Sequence, residues 1–175
     1  MTAVELRILG IDPGSSRIGF GLIGKKGSVL SLIKTGVIEI PKGDAAEKLN
    51  ALAIEFKKLI AKSNPDAIGI EKLFFSKNVK TGIEVAQARG LLLHLSNEYF
   101  RLLNPESCIM NPLYEFTPQQ VKVATTNYGG ADKKAVARMV AMILSVPPLR
   151  ILDDATDAIA IAIATAGVHR VKKTS

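Results

Sequence analysis

The sequence predicts an α/β fold: one mixed five-stranded sheet, three antiparallel strands followed by parallel ones, flanked by helices. Three observations predict it. Near the N-terminus three apolar, β-capable runs are joined by turns too short for a crossover. Beyond them, helical periodicity alternates with two compact apolar runs, the order that builds parallel pairs with right-handed crossovers. The 175 residues suffice for one good core, and no linker, repeat or low-complexity block divides them.

Glu5 to Ile11 is the first apolar run, and it stops at the turn-forming Asp12-Pro13-Gly14-Ser15-Ser16. Arg17 to Ile23 and Val29 to Ile40 are the next two, with Gly24 to Ser28 between them, completing an antiparallel meander. Asp44-Ala45-Ala46-Glu47 reads as a helix start, an N-cap acid with Glu three residues on. Leu49, Leu52, Ala53, Phe56, Leu59 and Ile60 then recur at steps of three and four, an amphipathic helix that Asn64-Pro65 stops. Asp66 to Ile70 is a compact strand, parallel to the first if the crossover rule holds, and Glu71 follows it directly.

Lys72 to Lys80 has no clean period and reads as a basic, aromatic loop. Phe74 and Phe75 suit either the core or, beside Lys72, Lys77 and Lys80, a stacking platform for unpaired bases. Thr81-Gly82-Ile83-Glu84 has the pattern of a capping box opening a long helix to about Phe100. Ile83, Ala86, Gly90 and Leu93 form one stripe, with Leu91, Leu92, Leu95 and Tyr99 widening the apolar surface. A helix apolar over so much of its girth needs two covers: its own sheet and either more of the same domain or a second copy of the chain.

Arg101 to Pro112 carries Asn-Pro twice and has no assigned element; Leu113 to Phe116 is the fifth strand. Thr117-Pro118-Gln119-Gln120 starts a helix with Pro at its first position, and Lys122 lies one turn in. Tyr128-Gly129-Gly130 breaks it. Asp132 caps the next helix, whose first turns hold Lys133, Lys134 and Arg138, opposite to what the helix dipole prefers. Phosphates facing these lysines would account for the misfit. Pro147-Pro148 ends that helix, and the acidic stretch from Asp153 heads a final one that turns almost wholly apolar over Ala158 to Ile163. A single domain over residues 1–168 is expected, with a basic tail at 169–175.

Composition narrows the function. The chain is 47% hydrophobic and 22% charged, with no run long enough to span a membrane. Met1 to Leu9 has no apolar signal-peptide core. Cys108 is the sole cysteine, so no internal disulfide forms, which suits a reducing cytosol, and no Cys/His spacing suggests zinc. A net charge of +7 favours polyanionic partners.

The acids carry the chemistry. Asp12 and Glu71 both follow strands, at the carboxyl-end rim where α/β sheets place ligands. Asp154 and Asp157 sit three apart at the head of the last helix, neighbours on one face. A lone Asp-Pro-Gly is usually just a turn, but two independent acids arriving at one rim go beyond that reading. Crowded carboxylates repel unless a cation or proton sits between them. With no His or Cys in the set, oxygen-ligated Mg²⁺ or Mn²⁺ fits, two ions roughly 3.5–4 Å apart clamping a phosphodiester.

This layout is that of ribonuclease H-like nucleases. Six motifs in register resemble the RuvC family of Holliday junction resolvases: Ile11-Asp12-Pro13-Gly14-Ser15, Ile70-Glu71-Lys72-Leu73-Phe74, Lys77-Asn78, Gln87-Ala88-Arg89-Gly90, Gln120-Val121-Lys122 and Asp154-Ala155-Thr156-Asp157-Ala158. The resemblance runs from about Leu9 to Ala164. It implies a bacterial cytoplasmic endonuclease of recombination and repair, a homodimer with two active sites that nicks four-way DNA junctions symmetrically. It implies Asp12, Glu71, Asp154 and Asp157 as catalytic metal ligands for two Mg²⁺ per site. It implies Phe74, Lys77, Asn78, Arg89, Lys122, Lys133 and Lys134 as DNA-binding residues, and partnership with the RuvA–RuvB branch-migration complex. Two features depart from the family pattern: a surplus at Arg101 to Pro112, and an extra acid at Asp153, expected as an N-cap.

Three rivals remain at this stage. A binding-only module would lack one or more of the acids. A sugar-kinase-like ATPase would need a longer, two-domain chain. A ribonuclease H-like enzyme acting on RNA–DNA hybrids or RNA is separated only by the resemblance.

Overall fold

The structure is a computed structural model describing residues 5–73, 79–103, 112–147 and 153–169, without the side chains of residues 79 and 80. Phe74, Phe75, Lys77, Asn78, Cys108, Pro148 and most of the tail lie outside the described residues, as does most of the 101–112 surplus.

The three N-terminal runs form strands β1 (Leu6–Pro13), β2 (Arg17–Lys26) and β3 (Val29–Glu39), paired antiparallel in sequence. β2 runs through Gly24 to Lys26, so the turn expected across five residues is only Gly27-Ser28. Gly27 has φ +62°, the left-handed backbone a two-residue hairpin demands. Helix α1 (Ala45–Ser63) has the expected box: Asp44 accepts from the Glu47 amide at 2.9 Å, and Glu47 accepts from the Asp44 amide at 3.0 Å. It leads into β4 (Ala67–Glu71), which lies parallel to β1 with Ile11 opposite Ile70.

Helix α2 (Val79–Leu103) corrects one expectation and settles an open one. It starts two residues before Thr81, so Thr81 lies inside the first turn and is not a cap. The stripe that packs inward is Ala88, Leu92, Leu95, Ser96 and Phe100, whereas Ile83, Ala86 and Gly90 face outward, Ile83 56% exposed. With apolar residues on several sides, periodicity alone does not say which side meets the sheet.

β5 (Leu113–Phe116) then pairs parallel with β4, giving the sheet order β3-β2-β1-β4-β5. Helix α3 (Pro118–Thr126) has the Thr117/Gln120 box. Asp132 caps α4 (Lys133–Ile143), which ends at Leu144, ahead of the prolines expected to stop it. In α5 (Asp153–Val168), Asp153 is the first helical residue and not an N-cap.

The sheet separates two cores. On one face α1 and α2 bury Phe56, Leu52, Leu92 and Phe100 against Leu9, Ile11, Ile68 and Ile70. On the other, α5 lies across the strands with α3 and α4 outside it, burying Val121, Val136, Val140 and Ile159 to Ala164. Closeness decides where α5 ends up. A Cβ placed on Gly10 would stand 2.1 Å from the Ala158 carbonyl and 2.4 Å from the Ala162 amide; one on Gly19 would stand 2.0 Å from the Asp154 carbonyl. Absent side chains at these points let the helix backbone rest directly on the sheet.

Candidate active site

Strand alternation aims the first two acids. Ile11 and Ile70 face the α1/α2 core, so Asp12 and Glu71, one residue on in neighbouring parallel strands, face the side where α5 rests. Asp12 also pairs across β2 with Gly19, whose open face is covered by the Asp154 carbonyl. The head of α5, with Asp154 and Asp157 a turn apart, therefore stands over the strand ends that carry Asp12 and Glu71.

The charges register this crowding. Burial first, then the neighbouring charges of Glu71, Asp157 and Asp154, push Asp12 up to about 7, with Lys133 pulling the other way. Burial first, then Asp157, pushes Glu71 up to about 7, again against Lys133. Two basic groups answer the remaining acids. Lys133 donates from Nζ to Asp157 Oδ2 at 3.1 Å and lies 3.9 Å from Asp153. Arg17 Nε pairs with Asp154 Oδ2 at 3.1 Å. The bond to Asp157 holds Lys133 above the ordinary lysine range although burial opposes it, and the charges of Asp157, Asp153 and Asp12 add to the rise.

Among the described residues no three acidic, His or Cys side chains already stand as a finished metal cage. Asp154 and Asp157 are turned to Arg17 and Lys133, while Asp12 and Glu71 lack a direct cation partner among the described pairs. The donors still fit a hard divalent ion: all are carboxylates, and two are driven toward protonation by burial and then by neighbouring acids.

The other expected residues separate by position. Lys134 is exposed on α4, and Lys122 is half-buried on α3. Lys133, expected to meet DNA, is tied to the acids, which also accounts for its unfavourable place at a helix N-terminus. Arg89 is turned inward: Nε donates to the Glu71 carbonyl at 2.9 Å, and the guanidinium pairs with Glu115. Sequence reasoning missed Arg17 and Glu115. Each acts through a partner distant in sequence or on another element, and no local spacing marks such pairs.

Residues 8–165 match the family model for crossover junction endodeoxyribonuclease RuvC. The chain belongs to the RuvC family. The RuvC of Thermosipho melanesiensis is 44% identical over 158 residues, 90% of this chain and 94% of that relative. The RuvC of Halothermothrix orenii is 41% identical over 95% of both chains. Among solved structures, T. thermophilus RuvC in complex with Holliday junction substrate superposes with a TM-score of 0.80 at 28% identity, covering 92% of this chain and 93% of that one. The yeast mitochondrial Holliday junction resolvase Ydc2, at TM-score 0.64 and 17% identity, shares the fold. The mixed sheet expected from sequence is thus the RuvC sheet.

Proposed function

We propose that this protein is a metal-dependent endonuclease that resolves four-way DNA junctions by paired nicks, in DNA recombination and repair. One observation carries the reading: in a RuvC-family chain, four acids from β1, β4 and α5 share one sheet rim, where burial and then neighbouring charge push two of them up to about 7. Asp12, Glu71, Asp154 and Asp157 are the catalytic, metal-holding residues in this proposal. Divalent ions bound there, Mg²⁺ first and Mn²⁺ next, would supply an activated water and offset charge on the leaving oxygen.

The chain's own residues do the rest. Arg17 and Lys133 neutralise Asp154 and Asp157 in the metal-free protein. The sheet face beneath α5 half-buries Asp12 and Glu71, which favours a bound proton on each until a cation displaces it. Lys122 and Lys134, with the chain's +7 balance, draw the phosphate backbone to this rim. The outward stripe of α2 is the face we assign to a homodimer, which sets two active sites on one junction. Resemblance supports partnership with RuvA–RuvB and a place in the bacterial cytoplasm, and no described helix is long and apolar enough to cross a membrane.

The test compares a synthetic four-way junction, plain duplex and RNA–DNA hybrid, each with and without Mg²⁺. Symmetric junction nicks that need Mg²⁺ are expected, with Asp12→Asn and Asp157→Asn binding the junction but not cutting it. Preference for the hybrid, or undiminished cutting by Asp12→Asn, overturns the reading.

A further inference from the structure

A catalytic side chain on the last residue of a strand stands at the end of its ladder, where the backbone needs holding beyond the regular pairing. Glu71 is that residue in β4. Its carbonyl accepts from Arg89 Nε at 2.9 Å, and the next amide, of Lys72, donates to the Phe116 carbonyl at 2.7 Å. The peptide leaving Glu71 is therefore held from both sides, by α2 and by β5. Arg89 is itself held, its guanidinium paired with Glu115, the β5 residue opposite Ile70. The Arg89 side chain is only 18% exposed. A guanidinium serving two acceptors at once uses the fork that lysine lacks. An arginine offered to DNA would present its charge to solvent, whereas this one spends both edges on acceptors of its own chain.

We propose that Arg89, braced by Glu115, is a positioning residue for the Glu71 carboxylate and not a phosphate contact. The inference rests on the reading of Glu71 as a metal-holding catalytic acid. It also gives Glu115, exposed and acidic beside a DNA-binding rim, a reason to be there: it holds the arginine that holds the strand end.

The test uses the full chain with a four-way junction, and compares Arg89→Ala, Arg89→Lys, Glu115→Gln and a Glu71→Gln control. The readouts are cutting rate at saturating protein, junction Kd with its salt slope, and Mg²⁺ binding by calorimetry without DNA. Arg89→Ala should cut about 10–100-fold more slowly and bind Mg²⁺ roughly tenfold more weakly, the range for residues that orient metal ligands. Its junction Kd and salt slope should stay near those of the unsubstituted protein. Arg89→Lys should recover part of the rate, and Glu115→Gln should lose rate without losing DNA affinity. A phosphate contact behaves oppositely: Arg89→Ala weakens junction binding and lowers the salt slope by about one, and Glu115→Gln binds DNA more tightly while cutting normally. That pattern overturns the proposal. If Arg89→Ala fails to fold, Arg89→Lys and Glu115→Gln decide it by the same signs. Failure of the unsubstituted protein to cut, or full activity in Glu71→Gln, removes the underlying nuclease reading and this inference with it. An active protein, an inert Glu71→Gln and fully active Arg89 variants remove the positioning role alone.

Discussion

Asp12 and Glu71 would titrate near 4 in an unfolded chain, but both are pushed up to about 7 in the fold. A raised carboxyl favours the folded state while protonated, so its contribution is complete below about 4 and is lost as pH climbs through about 7. Metal-free protein should therefore lose stability between about pH 4 and 7, on the order of several kcal/mol for the pair. Asp12→Asn removes one of the two charges, so its stability advantage over the unsubstituted protein should widen across that window. Added Mg²⁺ should close the gap. Thermal melts at several pH values, with EDTA or Mg²⁺, measure both effects; a gap that does not change with pH contradicts the assignment. The four acids were legible in sequence because each sits at a recognisable strand or helix end. Arg17, Glu115 and the inward turn of Arg89 were not, since pairs such as Arg17–Asp154 exist only after distant elements pack.

At the scale of elements, α5 and the strands beneath it act as one part. The atoms that a Cβ on Gly10 would strike belong to the α5 backbone and cannot rotate aside. Gly10→Ala should destabilise the fold by about 1–3 kcal/mol or more, read from urea unfolding. Gly19→Ala strikes the Asp154 carbonyl, so it should lower Mg²⁺-dependent cutting further than its loss of stability explains, measured where the variant is still folded. The caps at Asp44, Thr117 and Asp132 were readable because a cap is a local bond between neighbours. The orientation of α2 was not readable. Ile83, Ala86, Gly90 and Leu93 keep a helical period as good as that of the buried stripe, and only the sheet chooses between them.

For the whole molecule, the outward residues Ile83, Ala86 and Gly90 of α2 are left exposed among the described residues. No described residue lies within 4 Å of where a Gly90 side chain would begin, so Gly90→Arg fits the isolated fold and improves its helix propensity by about 1 kcal/mol. Light scattering should then show a monomer whose melting temperature has not fallen, and paired nicking of a junction should be lost. A dimer that survives Gly90→Arg refutes this choice of face. The net charge of +7 should also make junction affinity fall steeply with added salt, a straight line on logarithmic axes. The order of strands and helices could be read from local signals. The face proposed for a second subunit could not, because an exposed apolar stripe and a buried one keep the same helical period.

The acids come from residues 12, 71 and 154 to 157, and the last pair rides on the final helix. On the proposed assignment, a chain emerging from the ribosome carries half of its metal-holding acids long before the other half exists. The site is incomplete until α5 has been made and has settled onto Gly10 and Gly19.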